Sequence, residues 1–172
     1  MLIDIRPENP SDKETIRAVH VASFPTAAEG QLVDALRTSG HLSISLVGVM
    51  ENEIVGHVAF SPVVASGVAD GMGLAPVAVR PEFRRCGIAE RLIRAGLAEY
   101  QQLGGGFVVV LGDPSYYRRF GFTLAIQWAL KDEYGGGEAF QAMEIRAGSI
   151  PPEGGVVRYA SEFNMLENEG AA

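Results

Sequence analysis

The sequence predicts a single α/β (α+β) domain on a mixed sheet, with elements in the order β-α-α-β-β-β-α-β-α-β-β. Three observations predict it. Two segments near the N-terminus carry apolar residues at helical spacing, with start and stop signals. The run from His41 to Ser66 reads as two strands about a short polar turn. The stretch from Gly71 to Leu111 reads strand–helix–strand, which requires a parallel pair beside the antiparallel ones.

Leu2 to Arg6 alternates apolar and polar residues, as a half-buried strand does. Ser11 then stands as a helix N-cap with Glu14 three residues on, and Ile16, Val19 and Val21 follow at loosely helical spacing. After Pro25, the segment AAEGQLVDALRTSG reads as a second helix. It turns Leu32, Ala35 and Leu36 inward and stops at Gly40. The hairpin turns at Glu51-Asn52-Glu53, and a further strand runs from Gly71 to Val79. Glu90 to Gln102 is a helix that ends at Gly104-Gly105-Gly106 and releases FVVVLG, a short apolar run typical of a strand covered on both faces. Asp113 and Pro114 then open a short helix as N-cap and first residue. Two more strands are expected near Ala142–Arg146 and Val156–Tyr159, and residues 165–172 read as a flexible tail.

The bulk composition narrows the function. At 172 residues the chain suits one domain spanning 1–172. A net charge of −7 argues against a general nucleic-acid or anionic-membrane binder. One cysteine excludes an intrachain disulfide framework and a multi-cysteine zinc site, and no metal is expected. The N-terminus lacks the charged start and long apolar run of a signal peptide, and no apolar segment reaches a membrane span, so a cytoplasmic setting is expected.

The chemistry concentrates in VRPEFRRCGIAERLI, where a strand hands over to a helix. A helix N-terminus offers unbonded N–H groups and a partial positive charge, which together attract phosphate. Gly87 and Ala89 keep the turn narrow enough for close approach, and Arg84 and Arg85 add formal charge. The bland reading is a solvated basic turn. The pattern lacks the three glycines of a dinucleotide fingerprint and the Gly-Lys-Ser/Thr of a Walker loop.

Two motifs in order carry a resemblance. VAVRPEFRRCGIAERLI resembles the acetyl-CoA motif Q/R-x-x-G-x-G/A of the GCN5-related N-acetyltransferase (GNAT) superfamily, with Arg84, Gly87 and Ala89 at its defining positions. YRRFGF, Tyr117 to Phe122, is similar to the family's Tyr-x-x-x-Gly-Phe. The resemblance covers roughly Leu2 to Phe122, and AAEGQLVDALR, GHVAFSPV and GDPSYYRRFGF look like the YhbS-like group of small bacterial acetyltransferases.

The resemblance implies a GNAT fold, a mixed central sheet with a splayed CoA-binding strand and flanking helices. It implies direct transfer of an acetyl group from acetyl-CoA to the amine of a small-molecule or protein acceptor, in a ternary complex. Cofactor contacts then fall on Val77, Ala78 and Val79 of the strand, on Arg84, Arg85, Cys86, Gly87, Ile88 and Ala89 of the turn, and on Tyr117. The Val77 N–H aligns with the group that polarises the thioester carbonyl. Pro76, which cannot donate to a ladder, agrees with a strand left partly unpaired, although a simple bulge also explains it.

Tyr117 falls where the family protonates the departing thiolate. Its neighbour Tyr116 is a rival, and the spacing to Gly121-Phe122 selects Tyr117. The general base is open. The strand stretch Met72-Gly73-Leu74 has nothing titratable, which leaves Glu29, His57, Asp113 or ordered water. Cys86, within the turn, is expected to contribute only backbone. Trp128, Tyr134, Phe140 and Glu144 are candidates to line an acceptor pocket. The alternative function is a catalytically idle acyl-CoA-binding sensor, and a third is a binder of another phosphate ligand. Dimerisation is common in such enzymes, and no stretch here establishes it.

Overall fold

The computed structural model of the chain describes residues 2–166. Of the tail expected at 165–172, residues 167–172 lie outside the described residues, and 165 and 166 are helical. The chain divides into two compact units, one made of Met1–Phe60, Ala75–Gly96 and Ser161–Ala172, the other of Ser61–Leu74 and Leu97–Ala160.

In the first unit β1 (Asp4–Pro7), β2 (Ile44–Met50) and β3 (Glu53–Ala65, here to Phe60) form an antiparallel meander. The β2–β3 turn is two residues, Glu51 and Asn52, both left-handed (φ 51° and 68°), the backbone that fits the twist of a tight hairpin. The helices α1 (Lys13–Ser23) and α2 (Ala28–Ser39) bury Ile16, Val19 and Val33 against Val47, Ile54 and Ala78. Gly40 closes α2 in the left-handed conformation expected of it. Helix α3 (Ile88–Gln102) begins in this unit and packs closely, because Gly96 leaves room for the ring of Phe60 where a Cβ would stand. Burying each such large apolar side chain stabilises the fold by about 1.5–3 kcal/mol.

The start of α1 differs from expectation. Ser11 does not cap it. Pro10–Asp12 form a 3-10 turn, and the Asp12 carboxylate turns back to accept the Asn9 N–H at 2.6 Å while paired with Arg6. Proline at the head of the turn and the Arg6 pair select Asp12 over the serine.

In the second unit the strand β4 (Val68–Val79, here to Leu74) runs parallel to β5 (Phe107–Leu111), with Gly71 opposite Phe107 and Gly73 opposite Val109. The strand–helix–strand inference therefore holds. β5 pairs antiparallel with β8 (Phe140–Glu144), which also pairs with β6 (Thr123–Leu124). β9 (Gly155–Arg158) pairs antiparallel with the end of β3 and parallel with β7 (Leu130–Asp132). The short helix α4 (Pro114–Tyr117) starts at Asp113, whose carboxylate accepts the Ser115 N–H at 2.9 Å. Tyr100 locks the far end of α3 by donating to the Asp70 carbonyl at 2.8 Å and accepting from the Gly106 N–H at 3.3 Å.

The sequence reading missed the Ser66-Gly67 turn that joins β3 to β4, and the short strands β6 and β7. Strands expected at 142–146 and 156–159 lie at Phe140–Glu144 and Gly155–Arg158. No helix among the described residues is long and apolar enough to cross a membrane.

Candidate active site

The turn from Arg84 to Ala89 is a backbone cradle. Arg85 (φ 63°) and Gly87 (φ 77°) are both left-handed, and a Cβ added at Gly87 would meet nothing within 4 Å. The Gly87 carbonyl accepts from the Arg91 N–H at 3.1 Å, so the helix ladder starts there. The N–H groups of Ile88, Ala89 and Glu90 precede the first acceptor the helix can offer and carry its positive dipole end. Arg84 to Gly87 are exposed, Ile88 is buried beneath them, and Ala89 is half-buried. Cys86 is exposed, with its thiol 3.5 Å from the Arg84 carbonyl.

Arg84 is engaged elsewhere. Its Nε donates to the Val79 carbonyl at 3.4 Å and its Nη2 to the Ser23 carbonyl at 3.1 Å. The Ser23 hydroxyl lies 3.0 Å from the same Val79 oxygen and 2.7 Å from the Val19 carbonyl. Arg84 and Ser23 thus tie the cradle, the end of α1 and the end of β4 together. Of the two arginines, Arg85 has no hydrogen bond or ion pair among the described residues.

Along β4, the Arg80 N–H bonds the Val55 carbonyl of β3 at 2.9 Å. Alternation turns the main-chain groups of Val79 and Val77 to the opposite side of the strand. Among the described residues, the β4–β5 ladder covers Gly71 to Gly73 and goes no further. Val77 is half-buried, while the Ala78 side chain is buried in the α1–α2 core.

His57 is fully buried in a hydrogen-bonded chain. Its Nδ1 is 2.8 Å from His20 Nε2, and its Nε2 is 2.8 Å from Ser45 Oγ. The remaining nitrogen, His20 Nδ1, is buried without a partner among the described residues. A bare lone pair is less costly to strand than an N–H. The inferred proton order is therefore His20 Nε2–H to His57 Nδ1 and His57 Nε2–H to Ser45. In that order His57 has no lone pair to spare. Burial pulls His20 down to about 4, helped by Arg37 and opposed by Asp34, and it pulls His57 well below 6.5, helped by His20 and Arg37.

Both histidines fold neutral, and in the unfolded chain they charge near pH 6.5. Their contribution to stability is whole above that pH and drains as pH falls, for His20 down to about pH 4. Denaturation midpoints measured from pH 7 to pH 4.5 should fall more steeply for the parent than for a His20→Gln variant. Equal slopes would exclude the pair as the acid-sensitive element.

Glu29 sits in the first turn of α2, half-buried, with Oε2 buried and without a hydrogen-bond partner among the described residues. Asp113 is occupied as an N-cap, where Ser115 holds its carboxyl below the usual range. Among the described residues no group of three or more His, Cys, Asp or Glu could hold a metal.

Tyr117 belongs to the second unit. Its ring is buried against Gly112, Tyr116 and Phe122, and its hydroxyl makes no hydrogen bond among the described residues. Burial, with Tyr116 alongside, pushes the phenol up to about 12. Tyr116 instead lies under the Arg119 guanidinium, 4.2 Å from its ring centre. Of the expected pocket residues, Phe140 lines a cavity of about 450 Å³. Trp128 donates to Thr123, and Glu144 accepts the Ile150 N–H. The hydroxyl of Tyr134 is buried.

Residues 4–125 match the model of the acetyltransferase (GNAT) domain family. The chain is 39% identical over 165 residues to the uncharacterised N-acetyltransferase YhbS of Escherichia coli strain K12, covering 94% of this chain and 99% of that one. Among solved structures it is similar to Escherichia coli YhbS in complex with CoA, at 38% identity and TM-score 0.90, with 94% and 92% of the two chains covered. It is also similar to a GNAT family acetyltransferase from Brucella melitensis in complex with acetyl-CoA, at 37% identity and TM-score 0.80, over 94% and 98%.

Proposed function

This chain belongs to the GNAT family of acetyltransferases, and from that premise we propose that it passes the acetyl group of acetyl-CoA directly to the amine of a small acceptor, with both substrates bound at once. The observation that carries the reading is the cradle. Left-handed Arg85 and Gly87, open space over Gly87 and the start of a 15-residue helix make a narrow, cationic site of the kind a diphosphate fills. The relatives with 37–38% identity that hold CoA or acetyl-CoA support the same ligand here.

In this reading the N–H groups of Arg85 to Ala89 and the Arg85 side chain hold the pyrophosphate, while Arg84 keeps the turn in place. Val77 and Val79 offer main-chain groups to the pantetheine arm, and the Val77 N–H faces the thioester oxygen. The amine attacks the carbonyl carbon. The new C–N bond forms, the C–S bond breaks, and Tyr117 donates a hydrogen bond to the departing sulfur, which takes its proton from water. The amine proton goes to Glu29 or to ordered water that Glu29 holds, since Glu29 keeps an unpartnered carboxylate oxygen and His57 is sealed within the core. One catalytic domain over the whole chain agrees with β3, β4 and α3 running through both units. A cytoplasmic setting agrees with a single free, exposed cysteine.

Thermal denaturation with acetyl-CoA, CoA, ATP and NAD tests the ligand. A rise of several degrees with the two CoA species alone is expected, because ligand at about a hundredfold over Kd adds about 2.7 kcal/mol. No rise with either sinks the reading. A panel of amines with detection of released thiol tests turnover, and binding without any turnover would favour the acyl-CoA sensor.

A further inference from the structure

Gln141 is a polar side chain sealed inside a strand. It is 1% exposed, between buried Phe140 and Ala142 on β8. A buried amide is tolerated where its hydrogen bonds are made. The Gln141 Nε2 makes two, donating to the Gly112 and Ala139 carbonyls, each at 3.1 Å. Two carbonyl partners fix the orientation of the amide, since only its nitrogen can donate.

Those bonds fall on the residue that backs Tyr117. Gly112 follows β5 and leads into the Asp113 cap of α4. Its N–H donates to the Ala139 carbonyl at 2.9 Å, so both of its main-chain polar groups are held at the start of β8. A Cβ on Gly112 would overlap the Tyr117 ring, so the ring lies directly against the Gly112 backbone.

The register places these groups on one face. Val110 is opposite Gln141, and Gly112, two residues on, turns its Cβ position to the same side as Val110. Met143, two residues past Gln141, lies 3.4 Å from the Cβ position of Gly121, which closes the turn after Tyr117. Gln141 and Met143 thus underlie the segment that carries the phenol. An apolar side chain of the same size would fill the same space and leave the Gly112 carbonyl free to turn away.

We propose that Gln141 is a positioning residue for the reaction. By clamping Gly112 to β8 it fixes the wall behind the Tyr117 ring, and with it the aim of the hydroxyl. The effect on turnover rests on the reading of Tyr117 as donor to the departing sulfur, while the clamp itself does not.

The test compares Gln141→Met, close to glutamine in size, with Tyr100→Phe. Tyr100 holds the opposite end of β5 through the Asp70 carbonyl and the Gly106 N–H, so its loss also strips two backbone groups. Each variant should melt a few degrees below the parent. Gln141→Met should lower kcat about tenfold with acetyl-CoA affinity unchanged, a fraction of what loss of the phenol costs. Tyr100→Phe should keep the parental kcat. In a Tyr117→Phe background Gln141→Met should cost nothing further, because the two act as one unit. Nuclear magnetic resonance of isotope-labelled tyrosine rings reads the clamp without turnover. The chain has five tyrosines, and Tyr117→Phe identifies the signals that matter. The Tyr117 ring-flip rate should rise several-fold in Gln141→Met and stay parental in Tyr100→Phe. A parental flip rate in Gln141→Met overturns the clamp, whatever the kinetics. A raised flip rate with parental kcat, with an equal kcat loss in Tyr100→Phe, or with the full tenfold loss repeated in Tyr117→Phe overturns its part in the reaction. A parental kcat in Tyr117→Phe, or no turnover of any amine by the parent, overturns the donor reading instead and leaves the flip rate to decide the clamp.

Discussion

Tyr117→Phe should lower kcat about a hundredfold or more while leaving acetyl-CoA affinity and stability unchanged. The size follows from what a positioned proton donor contributes, about 10²–10⁴ in rate. The stability forecast is specific to this site. The Tyr117 hydroxyl has no hydrogen-bond partner among the described residues, so its removal strands no other group, and the buried ring stays. The phenol is pushed up to about 12 by burial, with Tyr116 as the lesser cause. A thiol titrates near 8.5, so complete transfer of the proton to sulfur is uphill by about 3–4 pH units. In the proposed mechanism Tyr117 therefore acts by donating a hydrogen bond to sulfur as its charge develops, and the thiolate completes its protonation from water. The phenol stays protonated across the working range, so the pH–rate profile should show no downturn from Tyr117 below about pH 11, consistent with its raised value. Steady-state kinetics with the best amine of the panel, alongside acetyl-CoA binding by calorimetry, decide it. A Tyr117→Phe enzyme with parental kcat has no role for the phenol, and Tyr116→Phe then becomes the variant to measure.

What the sequence disclosed was local. Gly87, Ala89, Asp113 and Gly40 act through the backbone of their own turn, so residue type and spacing were enough to place the cradle, an N-cap and a helix stop. The parallel β4–β5 pair was legible for a similar reason, since a helix between two strands leaves few other topologies. Strands β6 and β7 were not legible. They have two and three residues, and β7 exists through pairing with β9, more than twenty positions on. The His20–His57 contact joins residues 37 apart on a helix and a strand, and no spacing rule connects them. Arg84 is the instructive case. A cation next to a phosphate turn reads as a phosphate ligand, yet sequence carries no record of two carbonyls that the fold brings within its reach. The Val79 and Ser23 carbonyls hold this guanidinium, and Arg85 is the arginine that makes no hydrogen bond among the described residues.

That distinction fixes the second large effect, on the cofactor. Gly87→Val should weaken acetyl-CoA binding about a hundredfold, roughly 3 kcal/mol, the value of one or two charge-assisted hydrogen bonds to phosphate. The added side chain meets no protein atom within 4 Å, so the protein can hold it, but at φ 77° it is strained and it stands where the anion must come close. The strain alone costs about 1–2 kcal/mol and lowers Tm by a few degrees in a chain of this size. Gly40→Val is the control. Gly40 has φ 83° and nothing within 4 Å of its Cβ position, at the end of α2 and outside the cradle. It should lose similar stability and keep its affinity for acetyl-CoA. The arginines complete the experiment. Arg85→Ala should weaken binding and flatten its dependence on salt, because an exposed charge acting on the ligand is screened. Arg84→Ala should weaken binding with the salt dependence intact, because Arg84 acts by fixing the turn through Val79 and Ser23. A flattened salt dependence in Arg84→Ala, with none in Arg85→Ala, would reverse the two roles and return the phosphate contact to Arg84.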